Sequence, residues 1–152
     1  MTRKLYESDE NLGNERAVAL FIEELWICDL IKLPIKYGLD YTFRRNKNLV
    51  GFCEIKCVNY EMSHFDLMSG GYFISVGKIM SARALVETTK LPFYLIVDTR
   101  DGIWYREFTE FNNLKLIVNG RKDRDDWQDI EPMVLLETAL FKRIAKNPND
   151  QS

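Results

Sequence analysis

The sequence predicts a mixed α/β domain, a central mixed sheet flanked by helices. Three observations predict it. "PFYLIVDT" is an uninterrupted apolar run, the mark of a central strand buried on both faces. Upstream, "YTFRRNKNLVGFCEIKC" reads as two strands folded about a polar turn. Between them "YFISVGKIMSARALVETTK" turns from extended to helical, and a helix of that length can carry the chain across to a parallel strand. A chain of 152 residues makes one domain with one core, spanning 1–152.

The elements follow in order. "NLGNERAVALFIEELWICDLIKL" has apolar residues at helical spacing, including Val18, Phe21, Ile22, Leu25 and Trp26. It predicts one long helix, capped by Asn11 or Asn14 and stopped at Leu33 by Pro34. Strands over about 37–45 and 49–58 come next, with Asn46, Lys47 and Asn48 at the turn. "NYEMSHFDLMSGG" reads as a loop, with a helical turn as the alternative. A helix is established by Lys78 and ends before Pro92. After "PFYLIVDT", "RDG" turns the chain into "IWYREF". "LKLIVNGR" and "MVLLE" pair across the polar loop "KDRDDWQDIEP", an antiparallel β extension, and "TALFKRIAK" is a short amphipathic helix. Residues 1–10 and 147–152 are polar ends, expected to be flexible.

Composition narrows the function. No apolar run approaches the roughly 20 residues that span a bilayer, and the first residues form no signal peptide, so a cytoplasmic protein without a membrane partner is expected. The net charge is −2, so nucleic acid would be held by local patches rather than overall charge. Arg44, Arg45 and Lys47 form one such patch; Arg121, Lys122 and Arg124, then Lys142, Arg143 and Lys146, form others. Each also reads as a solvated turn or face. Cys53 and Cys57, if extended, lie about 13 Å apart, too far to share a zinc ion that needs ligands at about 2.3 Å, and read as small buried apolar residues. His64, the one histidine, has no partner nearby in sequence for nucleophilic catalysis. Trp26 belongs to the core and Trp104 to a sheet face, leaving Trp127 as the tryptophan for a partner. Asp98 and Asp101 read as turn residues.

The informative feature is a pair of charges, Glu54 and Lys56, in an otherwise apolar strand. In a hairpin turning about Lys47, paired residue numbers sum to 94, which sets Asp40 opposite Glu54 with Cβ atoms about 5 Å apart. Lys56 points to the same face as Glu54. A turn centred half a residue away makes the Asp40–Glu54 match diagonal. Two facing carboxylates repel, and burial raises the cost. A divalent cation with few oxygen ligands and open positions resolves the conflict; Mg²⁺ fits, with Mn²⁺ able to substitute. Such an ion activates water and neutralises charge on phosphate, while Lys56 serves the water or the transition state. The chemistry implied is phosphodiester hydrolysis. The rival reading is a simple cross-strand ion pair.

Asp40, thirteen intervening residues and then "Glu54-Ile55-Lys56" resemble the PD-(D/E)XK nuclease superfamily, with its restriction-endonuclease-like core. The resemblance runs from about Leu12 to Val97. A helix, the motif-bearing hairpin, a second helix and a central strand occur in the family's order. On this resemblance Glu15, in "GNERAVALFIEEL", matches the helix glutamate that assists metal binding, with Glu23 and Glu24 as rivals. Lys78 matches the polar or basic residue that the later helix brings to the site, with Ser75 beside it. Lys78 also reads as a surface lysine. The family's first acid often follows a proline, whereas Gly38 and Leu39 precede Asp40 here. "DIEPMVLLETALFKRI" resembles the C-terminal part of small phage and bacterial proteins of this superfamily. The resemblance implies a Mg²⁺-dependent nuclease acting on DNA rather than RNA, possible as a homodimer. The other readings are a silent nuclease fold that binds nucleic acid or protein, and an interaction domain.

Overall fold

The computed structural model describes residues 9–33, 39–120 and 130–145. Helix α1 spans Asp9–Trp26. Strands β1 (Asp29–Lys32), β2 (Tyr41–Arg45) and β3 (Asn48–Cys57) follow, then α2 (Met62–Ser69), β4 (Tyr72–Ser75) and α3 (Val76–Thr89). The rest is β5 (Phe93–Thr99), β6 (Gly102–Phe108), β7 (Lys115–Gly120), β8 (Ile130–Leu136), a 3-10 turn at Thr138–Leu140 and β9 (Lys142–Ala145).

The central sheet has six strands in the order β1-β2-β3-β5-β6-β9. Only β3 and β5 run parallel, from Phe52 beside Phe93 to Cys57 beside Asp98; the other neighbours are antiparallel. Strand alternation sends opposite sets of residues to two apolar cores. On one face Cys53, Ile55 and Ile96 meet Val18, Ala19 and Ile22 of α1. On the other, Phe52, Phe93, Leu95 and Val97 meet Ile79, Ala82 and Val86 of α3, together with Ile74, Val134 and Leu136 from a second sheet, β4-β8-β7. The expected mixed sheet between helices is present, as are the central strand "FYLIVDT" and the pairing of "LKLIVNG" with the strand ending in "MVLL". No helix among the described residues is long and apolar enough to cross a membrane.

Several sequence expectations are corrected. The first helix begins at Asp9, so Asn11 and Asn14 lie within it and do not cap it. It ends at Trp26, not Leu33. Ile27 takes a left-handed φ of 51°, and Arg45 donates to the exposed carbonyls of Trp26 and Ile27 at 2.9 and 3.3 Å. The following residues pair with β2 as an edge strand, because a paired edge satisfies the backbone and still buries Leu30. Leu25 is exposed rather than on the packed face, and Cys57 is exposed rather than buried. "MSHFDLMS" is a two-turn helix, not a loop. "TALFKRIAK" is not a helix: a 3-10 turn leads into β9, which pairs with the edge of β6. So short a helix is marginal alone, and the sheet edge offers hydrogen bonds at once. Trp26 packs against Phe43, Tyr94 and Tyr105 as core, and Trp104 packs on the α3-side core. Gly38, Arg121, Lys122, Arg124, Trp127, Lys146, and residues 1–8 and 147–152 lie outside the described residues.

Candidate active site

The hairpin's turn is tighter than its sequence suggests. Asn46 and Lys47 both have left-handed φ values, 51° and 66°, the two-residue geometry that matches strand twist. Near the turn, Arg45 faces Asn48 and Arg44 faces Leu49, so paired numbers sum to 93. A bulge then leaves Val50 without a partner, and Phe43–Gly51, Thr42–Phe52 and Tyr41–Cys53 sum to 94. The turn is centred half a residue from Lys47, yet the bulge restores the register at the site end. One step beyond Tyr41, Asp40 arrives across from Glu54 and Ile55. Its Oδ2 accepts the Ile55 amide at 3.0 Å, and its carbonyl accepts the Leu33 amide at 2.7 Å. These bonds hold Asp40 between β1 and β3.

Glu54 lies at the centre of the sheet and is fully buried. Its Oε1 meets Lys78 Nζ at 3.0 Å and Lys56 Nζ at 3.7 Å. Among the described residues Oε2 has no hydrogen-bond partner, and Oε1 has only the lysine ammoniums. Burial, then the neighbouring Asp40 charge, pushes the Glu54 carboxyl up to about 7, against the opposing pull of Lys78 and Lys56. Asp40 is raised as well, first by burial and then by Glu15, with the Ile55 amide, Lys32 and Lys78 acting the other way. Two buried carboxylates thus share one site, each making ionisation of the other harder.

The lysines come from different elements. Lys56 is two residues past Glu54 on the same strand and its side chain is half exposed. Lys78 is placed by a cap. Ser75 ends β4 in extended backbone, and its Oγ accepts the Lys78 amide at 3.3 Å. That starts α3 one turn from the sheet and aims Lys78 at Glu54. Lys78 is therefore not a free surface lysine, and Ser75 acts here through the helix start.

Glu15, from α1, is nearly buried and meets Lys32 Nζ at 2.7 Å. Lys32 also reaches Asp40 Oδ1 at 3.6 Å and sits 5.0 Å from the centre of the Tyr41 ring. Glu23 instead accepts the Leu30 amide at 2.9 Å, tying β1 to α1, and Glu24 is exposed. Among the described residues no three His, Cys, Asp or Glu side chains converge into a metal-holding group.

Lys32 is not singled out by the sequence, because the helical apolar rhythm of α1 runs on through it, whereas it ends strand β1. One signal was available: a strand placed directly before the hairpin brings its last residue beside Tyr41 and Asp40. Arg44, Arg45 and Lys47 are not at the site. They lie at the turn end of the hairpin, and Lys47 is roughly 23 Å along the strand from Glu54. Arg45 spends its guanidinium on the end of α1.

A family profile described as "Phage putative PDDEXK endonuclease" matches residues 1–144. The chain belongs to that family. The solved structure of a Holliday junction resolvase from the archaeal hyperthermophile Archaeoglobus fulgidus superposes with a TM-score of 0.52 at 12% identity, covering 90% of this chain and 93% of that one. At that identity the likeness speaks for the PD-(D/E)XK fold alone. No curated protein matches the chain in sequence.

Proposed function

We propose that this PD-(D/E)XK protein is a divalent-metal-dependent phosphodiesterase that cuts DNA at Asp40, Glu54 and Lys56. The observation that carries the reading is Glu54. A fully buried carboxylate with one oxygen lacking a hydrogen-bond partner among the described residues is costly to keep even beside Lys78, and a second buried carboxylate next to it adds to the cost. Two buried carboxylates with open lone pairs suit a hard cation whose remaining positions are filled by water and phosphate. Asp40 and Glu54 would hold that ion, Mg²⁺ or Mn²⁺, with Glu15 supporting the site from α1. When bound, the ion lowers the pKa of a coordinated water and neutralises charge on the phosphate.

The chain's own residues do the rest. Asp40 is fixed by the Ile55 amide, so its carboxylate does not rotate away when substrate arrives. Lys56 reaches out of the sheet with a half-exposed ammonium, able to orient the attacking water and donate to a phosphoryl oxygen. Lys78 keeps part of Glu54's charge compensated and lies in the first turn of α3, where a backbone phosphate would also meet the helix N-terminus. DNA is preferred over RNA because the family is one of phage endonucleases and the matching fold includes a Holliday junction resolvase.

The test is cleavage of labelled single-stranded, double-stranded and branched DNA with Mg²⁺, Mn²⁺ or EDTA. Wild type is compared with Glu54→Ala and Lys56→Ala. Cutting that needs the ion and falls at least about a hundredfold in both variants is expected. Retarded but uncut DNA at every shape and ion would replace the nuclease reading with a binding module.

A further inference from the structure

We infer that Lys32 fills the place beside Asp40 that a second divalent cation would need, so that this chain takes up one ion, on the Asp40–Glu54 side, and not two. The inference rests on the proposed metal-dependent reading and sets its stoichiometry. Lys32 is a positioning residue in this scheme, and Glu15 is its partner rather than a ligand of the ion.

Three features support it. First, the ammonium already sits in a cation seat. Glu15 Oε1 lies at 2.7 Å, Asp40 Oδ1 at 3.6 Å and the Tyr41 ring at 5.0 Å. A π face and two carboxylates surround it on three sides. Second, two-metal sites hold their ions about 3.5–4 Å apart across a shared carboxylate. Asp40 is the carboxylate between the Glu15 and Glu54 sides. An ion held by Glu15 and Asp40 together would have to take the side of Asp40 that Lys32 Nζ already faces. Third, charge opposes a second ion. Glu15, Asp40 and Glu54 are already matched in number by Lys32, Lys56 and Lys78. One dication makes the site positive, as a phosphate requires, and another would lie against a fixed ammonium.

An ammonium differs from an ion in what it can do. It carries one charge, exchanges no ligands and activates no water. Lys32 therefore steadies Asp40 and fixes the charge on that side without adding a second reactive water. It is the last residue of β1 and pairs with Tyr41, so the edge strand sets its position.

Ion counting tests this without turnover. Mn²⁺ is titrated into the full chain with no DNA, following heat and the paramagnetic signal of free Mn²⁺. Wild type should bind one ion per chain, and Lys32→Arg, which keeps the charge, should also bind one. Lys32→Gln should bind two, and Lys32→Gln with Glu15→Gln should return to one. Glu15→Gln alone should keep the count at one ion, held more weakly because a negative charge beside Asp40 is lost; this count can still overturn the inference if Lys32→Gln does not fold. Two ions in wild type, one ion in a folded Lys32→Gln, or loss of the wild-type ion in Glu15→Gln would each overturn the inference while leaving the metal-dependent reading in place. No ion in wild type would overturn both.

Discussion

The cost of Glu54 should be measurable as a dependence of stability on pH. Burial and Asp40 push its carboxyl from an ordinary 4.5 up to about 7 in the folded chain. The folded protein therefore binds a proton over a range in which the unfolded chain has released it, and stability must fall as pH rises through that range. The folded state keeps its full advantage below about 4.5 and loses it progressively toward and past 7. At about 1.36 kcal/mol for each pH unit between the two values, the loss is about 3 kcal/mol. That is a large part of a typical 5–15 kcal/mol stability, and roughly 6–12 °C in Tm for a chain of this size. Asp40 is raised in the same direction and steepens the fall. The assay is urea unfolding in EDTA at a series of pH values from 5 to 8.5, for wild type and Glu54→Gln. Wild type should lose stability across the series. Glu54→Gln, which has no proton to release, should lose about 3 kcal/mol less. Adding Mg²⁺ at pH 8 should restore wild type, because the ion binds the ionised folded form, and should do much less for the variant. Equal slopes for the two proteins in EDTA would refute the buried-carboxylate account of the site.

Lys78, beside Glu54, and Arg45, at the far end of the hairpin, carry two further predictions. Lys78→Ala removes the nearest cation on Glu54, so the Glu54 carboxyl should rise further; the apparent Kd for Mg²⁺, measured by calorimetry, should weaken more at pH 6.5 than at pH 8.5, by about tenfold for each pH unit below the new midpoint. Arg45→Ala should lower stability by about 1 kcal/mol through the lost bonds to the end of α1, and gel retardation should show no more than a twofold change in DNA binding.

Much of the candidate site was legible because strand geometry is rigid. Period two alone puts Glu54 and Lys56 on one face, and hairpin pairing brings Asp40 opposite once the bulge at Val50 offsets the true centre of the turn. The parallel strand announced itself as an apolar run because both its faces are covered. What was not legible had one cause in two places: a segment whose apolar spacing suits a helix was taken by a sheet edge. "ICDLIKL" continues the rhythm of α1, and "TALFKRIAK" has a helical rhythm of its own, yet each sends a strand to an opposite edge of the central sheet. Periodicity reports which residues are apolar, while the choice of partner depends on edges that only the assembled sheet creates. Lys32 was lost with the first of these. Glu15 faces the hairpin from α1, and its immediate partner, Lys32, lies on the strand whose apolar rhythm reads as helix.

The bulge at Val50 bears on how such proteins change over time. It absorbs the half-residue offset between the turn and the acid pair, so the number of residues separating Asp40 from Glu54 is not itself under geometric control. Deleting Val50 would leave Phe43 beside Gly51 and Tyr41 beside Cys53, with the two carboxylates still across from each other. A lineage can therefore gain or shed a residue at this point, or rebuild the turn beyond it, without passing through a form in which the acids are out of step. Kinship between such chains is better judged by which residues face each other across the hairpin than by the length of the gap between them.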